Sequence, residues 1–440
     1  MRIVTKYFVA LSLLASLFSC NMDHCEQTVY SIDKEATYHT LESLRSNVGM
    51  KAARDLKIPG KIYSYGDLLL IGESYEGIHF FDVSNPEKPV NLRFLNIPGN
   101  TDFAIKDNKL FANNQVDLLT FDITDLNNIS LEHIAEQTFR DEYNQLEEGF
   151  SYYLYAKPFR KKEVMSCEDY QTAAQNGDIQ IFEDILGTNE VFLMESVSFR
   201  TDNTLSAYSG SSQQSGSGTG GSMAAFTIIG DYLYTIDPSK LYTFSIAEGE
   251  DPQLLNEEYG MWGMETLFPS LGHLFVGTSG GMIIYDLSNP AHPTYKSSIS
   301  HVNACDPVYV KDDIAYVTLR SGNFCDGFSN QLELIDVSNL SSPQRMEIFP
   351  MHNPHGLSIA GDDLYLCDGG DGLKVFDITD PMKLNRNMIE RYPDKFAFDV
   401  ITLPQQDNLL IMIGIDGLGL MDFSDPSNLK ELSVIDVNWN

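Results

Sequence analysis

The chain has 440 residues and carries 29 Lys and Arg against 62 Asp and Glu, a formal net charge of −33. A charge of that sign and size repels phosphate backbones and anionic lipid surfaces at long range, which excludes a nucleic-acid partner, and it keeps a β-rich secreted protein soluble. The six cysteines include no C-x-x-C or Cys/His zinc spacing, so no metal cluster is expected.

In chain order, Arg2 and Lys6 precede the apolar run Tyr7 to Phe18. That run is too short to span a bilayer as a permanent helix and reads as a secretory signal over residues 1–19. It ends in Leu17-Phe18-Ser19-Cys20, which resembles the bacterial lipobox. The resemblance implies cleavage before Cys20, lipidation of its thiol, and a mature chain held to the membrane by lipid only. Asn21 after the cysteine implies sorting to the outer membrane or the cell surface. Residues 20–55 read as a tether and an irregular approach to the first repeat.

From residue 56 to 440 one phrase recurs at the end of apolar runs. It is FDVSNP at Phe81, FDITDL at Phe121, YDLSNP at Tyr285, IDVSNL at Ile335, FDITDP at Phe376 and MDFSDP at Met421, with a degenerate FSIAEGEDP from Phe244. The markers Asp82, Asp122, Ser245, Asp286, Asp336, Asp377 and Asp422 are separated by 40, 123, 41, 50, 41 and 45 residues. A period of about 40 to 45 residues built from short strands is that of propeller blades, none of which can bury its own faces alone. Within a repeat, Leu357 to Ile359, Leu364 to Leu366 and Leu373 to Ile378 are apolar runs divided by Gly/Asp/Pro turns, which makes them antiparallel strands. The expected fold is therefore all-β, a seven-bladed β-propeller with four antiparallel strands per blade. Each marker Asp is placed to accept backbone N–H groups of the following turn. Gly77, Gly281, Gly372 and Gly417 stand five residues earlier, where a hairpin needs positive φ.

The step of 123 marks an insertion at about 139–222. Its first part could hold a helix near Glu168 to Gln175, and its Ser/Gly-rich end, Ser206 to Ser222, reads as mobile. The step of 50 contains Cys325, and Cys305 opens the same repeat. Export permits a Cys305–Cys325 bridge, worth about 3 kcal/mol in the chain-entropy picture; two buried free thiols are the other reading.

Gly60-Lys61-Ile62-Tyr63, Gly77-Ile78-His79-Phe80-Phe81-Asp82, Ile97-Pro98-Gly99-Asn100, Asp306-Pro307-Val308, Leu319-Arg320-Ser321-Gly322 and Asn353-Pro354-His355-Gly356 resemble the LVIVD-repeat lipoproteins of Bacteroidota. The likeness runs from about Leu56 to the C-terminus, and it implies location and a propeller-like fold without a mechanism.

No nucleophile elbow, H-E-x-x-H helix, phosphate loop or EF-hand series occurs in the sequence. Propeller sites are assembled instead at the channel mouth, from one residue per blade. The positions entering the first strands are Lys61, Asp102, Ala225, Glu265, Asp306, His355 and Asp399. The six polar ones, Lys61, Asp102, Glu265, Asp306, His355 and Asp399, form the candidate ligand site together with Trp262. Gathered carboxylates there would raise their own pKa values or call for a cation; the plainer reading is a rim whose acids bond the backbone of neighbouring blades. His352 with His355, and the calcium-like Asp368-Gly369-Gly370-Asp371-Gly372, are weaker metal candidates, and no cofactor is expected beyond a possible calcium. Two functions fit: a non-enzymatic envelope scaffold binding protein, peptide or glycan, and a hydrolase or lyase acting on an extracellular polymer through mouth carboxylates.

Overall fold

The computed structural model describes residues 26–57, 59–139, 153–166, 179–181, 191–193, 219–220, 224–247, 249, 251–260, 263–278, 280–300, 307–319, 330–393, 395, 397–414 and 417–438. Cys20, Cys305 and Cys325, and with them the expected signal, anchor and bridge, lie outside the described residues, as does the helix expected near Glu168. No helix among the described residues is long and apolar enough to cross a membrane.

Two compact units are present, one comprising Lys34–Phe159 with Val197–Asn440 and the other Met1–Asp33 with Arg160–Ser196. The larger holds seven sheets, each an antiparallel meander in chain order. Blade 1 is Pro59–Tyr65, Leu68–Glu73, Gly77–Asp82 and Val90–Asn96; blade 2 is Phe103–Lys106, Lys109–Asn113, Leu118–Asp122 and Ser130–Ala135. Blade 3 follows the insertion as Phe226–Ile229, Tyr232–Ile236, Lys240–Ser245 and Gln253–Tyr259, so the degenerate phrase at Phe244 does end a third strand. Blade 4 runs from Met264–Ser270 to Thr294–Ser300, blade 5 from Val308–Lys311 to Gln344–Pro350, blade 6 from Leu357–Ala360 to Met388–Tyr392, and blade 7 from Ala397–Leu403 to Lys430–Asp436. From blade 2 to blade 7, first strands of successive blades pack on one another, while the fourth strands face water, as in Gln344–Pro350, where Phe349 alone is buried.

The repeated phrase has a local cause. Asp82 accepts the Ser84 N–H at 2.9 Å, and Asp122, Asp286, Asp336, Asp377 and Asp422 repeat the contact with Thr124, Ser288, Ser338, Thr379 and Ser424. Third and fourth strands carry a register shift at the same place in all seven blades, a bulge that increases twist where the sheet turns outward. The glycine five residues before the marker meets a constraint beyond its hairpin: a Cβ on Gly77 (φ 141°) would lie 2.0 Å from the Leu95 carbonyl oxygen of the fourth strand.

Blades 1 and 7 share an apolar cluster in which Ile62, Leu69 and Ile71 meet Ile401, Ile411 and Leu420. The ring is completed there by a parallel bridge between Leu56 and Val437 and by Ser433 Oγ donating to Pro86 O at 2.5 Å.

The approach segment differs from its irregular expectation. Thr40 caps the short helix Leu41–Ser46 by accepting the Ser43 N–H at 3.1 Å, and Gly49–Ala52 then pairs with the outer strand of blade 1. At that blade's other edge, Thr219–Gly220 from the Ser/Gly-rich stretch pairs with Ser64 and Tyr63. Blade 1 thus has six strands. The smaller unit contributes to a four-stranded sheet in which Glu26–His39 lies between Tyr153–Ser166 and Val191–Leu193, with Ile179–Ile181 outermost. Part of the inserted segment is therefore strand rather than loop.

Candidate functional site at the strand heads

Lys61 and Asp102, one blade apart, point into the wall and meet each other. Lys61 Nζ donates to Asp102 Oδ1, with both residues 1% exposed. Asp102 Oδ2 accepts the N–H groups of Ala225 at 2.6 Å and Phe226 at 3.1 Å, and Lys61 Nζ reaches Phe226 O at 3.4 Å. One carboxylate thus joins blades 1, 2 and 3. Burial pushes the Lys61 ammonium down and the Asp102 carboxyl up, and each partner opposes the other's shift. Neither charge is tenable alone at that depth, so the two are held as a pair.

His355 and Asp399 head blades 6 and 7 in the same relation, yet they do not repeat the contact. The His355 ring stands edge-on to Phe398, centroids 5.3 Å apart. Asp399 is 5% exposed and neither of its carboxyl oxygens has a hydrogen-bond partner; the Val400 N–H beside it only partly offsets the effect of burial. Burial pushes this carboxyl well above the ordinary range. Glu265 sits half-buried at a register shift between Met264 and Thr266, and Ala225 contributes only its backbone. Trp262 and Asp306 lie outside the described residues, so the full ring of seven heads is not on view.

The weaker metal candidates resolve into internal pairs. Asp368 accepts the N–H groups of His352 and Asn353 at 3.0 and 2.7 Å and the Lys374 ammonium at 2.5 Å. Asp371 takes Lys374 at 2.6 Å and Arg391 at 2.5 Å. These side chains stand where a calcium ion would have to bind. His352 is exposed whereas His355 is buried, and among the described residues no three His, Cys, Asp or Glu come together as a metal site.

One polar cluster was missed from the sequence. Glu73 of blade 1, 2% exposed, accepts His79 Nε2 at 2.7 Å and Arg54 Nη2 at 2.8 Å. Burial pushes its carboxyl up, but His79 and Arg54 outweigh that and hold it low. With Gly60, Lys61, Gly72, Ser74, Asn100 and Thr101 it lines a small hollow of about the size of one water molecule. Glu73 and His79 flank one hairpin and could have been paired from its register; nothing in the sequence places Arg54 beside them.

These features define a seven-bladed β-propeller whose described head charges are largely turned into its wall. Residues 271–300 and 304–350, in the fourth and fifth blades, match the LVIVD repeat. No curated protein matches its sequence. Similar solved structures include a functionally unknown protein from Desulfotomaculum acetoxidans, 10% identical over 84% of this chain and 95% of that chain with a TM-score of 0.48. Another is a protein from Lactobacillus plantarum, 11% identical over 86% and 97% with a TM-score of 0.49. A third is the periplasmic gluconolactonase of Pseudomonas aeruginosa, 10% identical over 86% and 96% with a TM-score of 0.47. Likeness of this degree carries no argument about activity.

Proposed function

We propose that this is a lipid-anchored envelope protein whose propeller is a binding scaffold for a protein, peptide or glycan, and that it performs no chemistry of its own. The observation that carries this reading is the fate of the head charges. A general acid or base must come within hydrogen-bond reach of a substrate proton, and Lys61 and Asp102, at 1% exposure and bonded to each other, have no such reach. Asp399, sealed at 5% exposure, lacks it as well. The anchor rests on Arg2, Lys6, the apolar run and Cys20, and it places the protein in the outer membrane or at the cell surface. Half-buried Glu265 supports the second reading, a hydrolase or lyase acting on an extracellular polymer, because it is the described head carboxylate least withdrawn from solvent.

The mature protein titrated calorimetrically against a panel of envelope polysaccharides and peptides, with product release followed in parallel, separates the two. Binding without turnover is expected. Turnover that disappears in Glu265→Gln would establish the enzyme instead. Fatty-acid labelling of the parent, lost in Cys20→Ala, is the expected sign of the anchor; equal labelling of both would remove it.

A further inference from the structure

Blades 6 and 7 meet along a largely apolar seam, crossed by a few hydrogen bonds and containing one buried acid without a partner. Across it Gly356 N–H donates to Phe398 O at 2.9 Å and the hydroxyls of Ser358 and Thr402 meet at 2.8 Å, while within blade 6 Cys367 N–H donates to Gly356 O at 3.0 Å. Between these contacts sits the Asp399 carboxyl, with neither oxygen bonded. It fits because residue 356 is glycine: a Cβ there would lie 2.0 Å from Asp399 Oδ1 and 2.9 Å from its Cγ.

Among the described residues, the titratable groups around it offer no countercharge. From blade 6 come the Cys367 thiol, fully buried and free, and His355, whose ring lies against Phe398. Asp368, next to Cys367, is taken by Lys374 and by two backbone N–H groups. The first strand of blade 7, Ala397–Leu403, carries no other charged side chain. On the far side of blade 7, the Lys61 ammonium of blade 1 is committed to Asp102.

We propose that Asp399 is a proton-operated latch on the seam between blades 6 and 7. Neutral, its carboxyl fills the gap that Gly356 leaves and the seam is shut. Ionised, it has no countercharge and only the Val400 N–H to oppose its burial, so it swings toward water and the strand heads of blades 6 and 7 part. Ring closure is maintained elsewhere, by the apolar cluster and the bridge of blades 7 and 1, so the opening is local. Burial holds the folded carboxyl well above its ordinary range and pushes the Cys367 thiol up as well, with Asp399 and Asp368 adding to the latter. The folded state therefore keeps a proton that the unfolded chain releases near pH 3.9. The stability contributed by that proton is complete below this value and declines as pH rises toward the folded pKa, by about tenfold in the opening equilibrium per pH unit for one proton.

Hydrogen exchange between pH 5 and 9, corrected for intrinsic rates, tests this in peptides covering 355–369 and 397–403, with blade 2 as the internal reference. The parent is expected to lose seam protection by up to about tenfold per unit, while Asp399→Asn stays level. Seam protection that is flat in the parent, or that falls equally in Asp399→Asn, overturns the latch. Should the variant fold poorly, carbon NMR of aspartate-labelled parent decides: one carboxyl titrating well above the others supports the proposal, and complete ionisation of all of them by pH 5 refutes it.

Discussion

Replacing either member of the Lys61–Asp102 pair tests whether the channel end is wall or solvated rim. Asp102→Asn leaves the Lys61 ammonium, 1% exposed, without its anion. It also leaves a single amide oxygen to serve the N–H groups of Ala225 and Phe226, which Asp102 Oδ2 now accepts at 2.6 and 3.1 Å, while the new amide NH2 faces the ammonium. Breaking a buried pair from one side costs about 3 to 5 kcal/mol, and this variant belongs at the upper end. Lys61→Met belongs at the lower end, because Asp102 retains those two donors and the Phe103 N–H at 2.6 Å. The double variant Lys61→Met/Asp102→Asn should cost less than the sum of the singles, with a coupling of about 1 to 3 kcal/mol. Urea unfolding of the four proteins, followed by fluorescence and circular dichroism, measures each corner of the cycle. Single losses below about 1 kcal/mol with no coupling, the behaviour of an exposed pair, would refute the argument and return both residues to the solvent-facing rim.

Two adjacent glycines give a second test. Gly281→Ala puts a methyl 2.1 Å from the Ile299 carbonyl oxygen at φ 154°, whereas Gly280→Ala meets nothing within 4 Å. The first should lose at least the roughly 1 to 3 kcal/mol of an overpacked site and the second should be near neutral in thermal unfolding; equal losses would contradict the close approach of the fourth strand. The marker carboxylates predict the acid limb of stability. The Thr124 hydroxyl and N–H, then Lys109, hold Asp122 down at about 2, and Asp82, Asp336, Asp377 and Asp422 are lowered in the same direction by their own turns. A lowered folded pKa contributes stability above the unfolded value near 3.9 that is lost as pH falls through the folded one. Midpoints measured from pH 5 to 2 should therefore fall less steeply in Asp122→Ala than in the parent, and parallel curves would deny the linkage.

The fold was legible because its strongest signal is local. An Asp that accepts an N–H two residues on, as Asp377 does from Thr379 at 2.8 Å, needs no distant partner, so its spacing survives in the sequence wherever a blade ends. The arrangement of the strand heads was less legible, because it depends on the neighbouring blade. Lys61, Glu265 and Phe398 all fall at register shifts of their first strands, and one extra residue re-aims every side chain before it. Aligning the repeats could place these residues at one end of the ring without saying which would turn into the wall. The two added strands of blade 1 were hidden for another reason. Thr219–Gly220 and Gly49–Ala52 include glycine, which is depleted in strands, and they pair through backbone edges that composition does not report.

Asp102 and Asp399 show how far equivalence in a repeat extends. Each heads a first strand one blade after a basic residue, and each is buried almost completely. Asp102 has an ammonium behind it and two N–H groups of the next blade ahead, so its charge is spread over three blades and its loss should be felt in folding. Asp399 has imidazole behind it, turned instead to Phe398, and a glycine against its carboxyl, so it gains nothing by ionising and its charge should be felt only as a force that opens the seam. The difference follows from a side chain's reach: Lys61 spans the gap between neighbouring blades, whereas the shorter His355, packed edge-on to an aromatic ring, leaves its acid unbonded. A ring of similar blades thus acquires one fixed side and one side responsive to protons, and a binding face spanning both would be held rigid at blades 1 to 3 while remaining adjustable at blades 6 and 7.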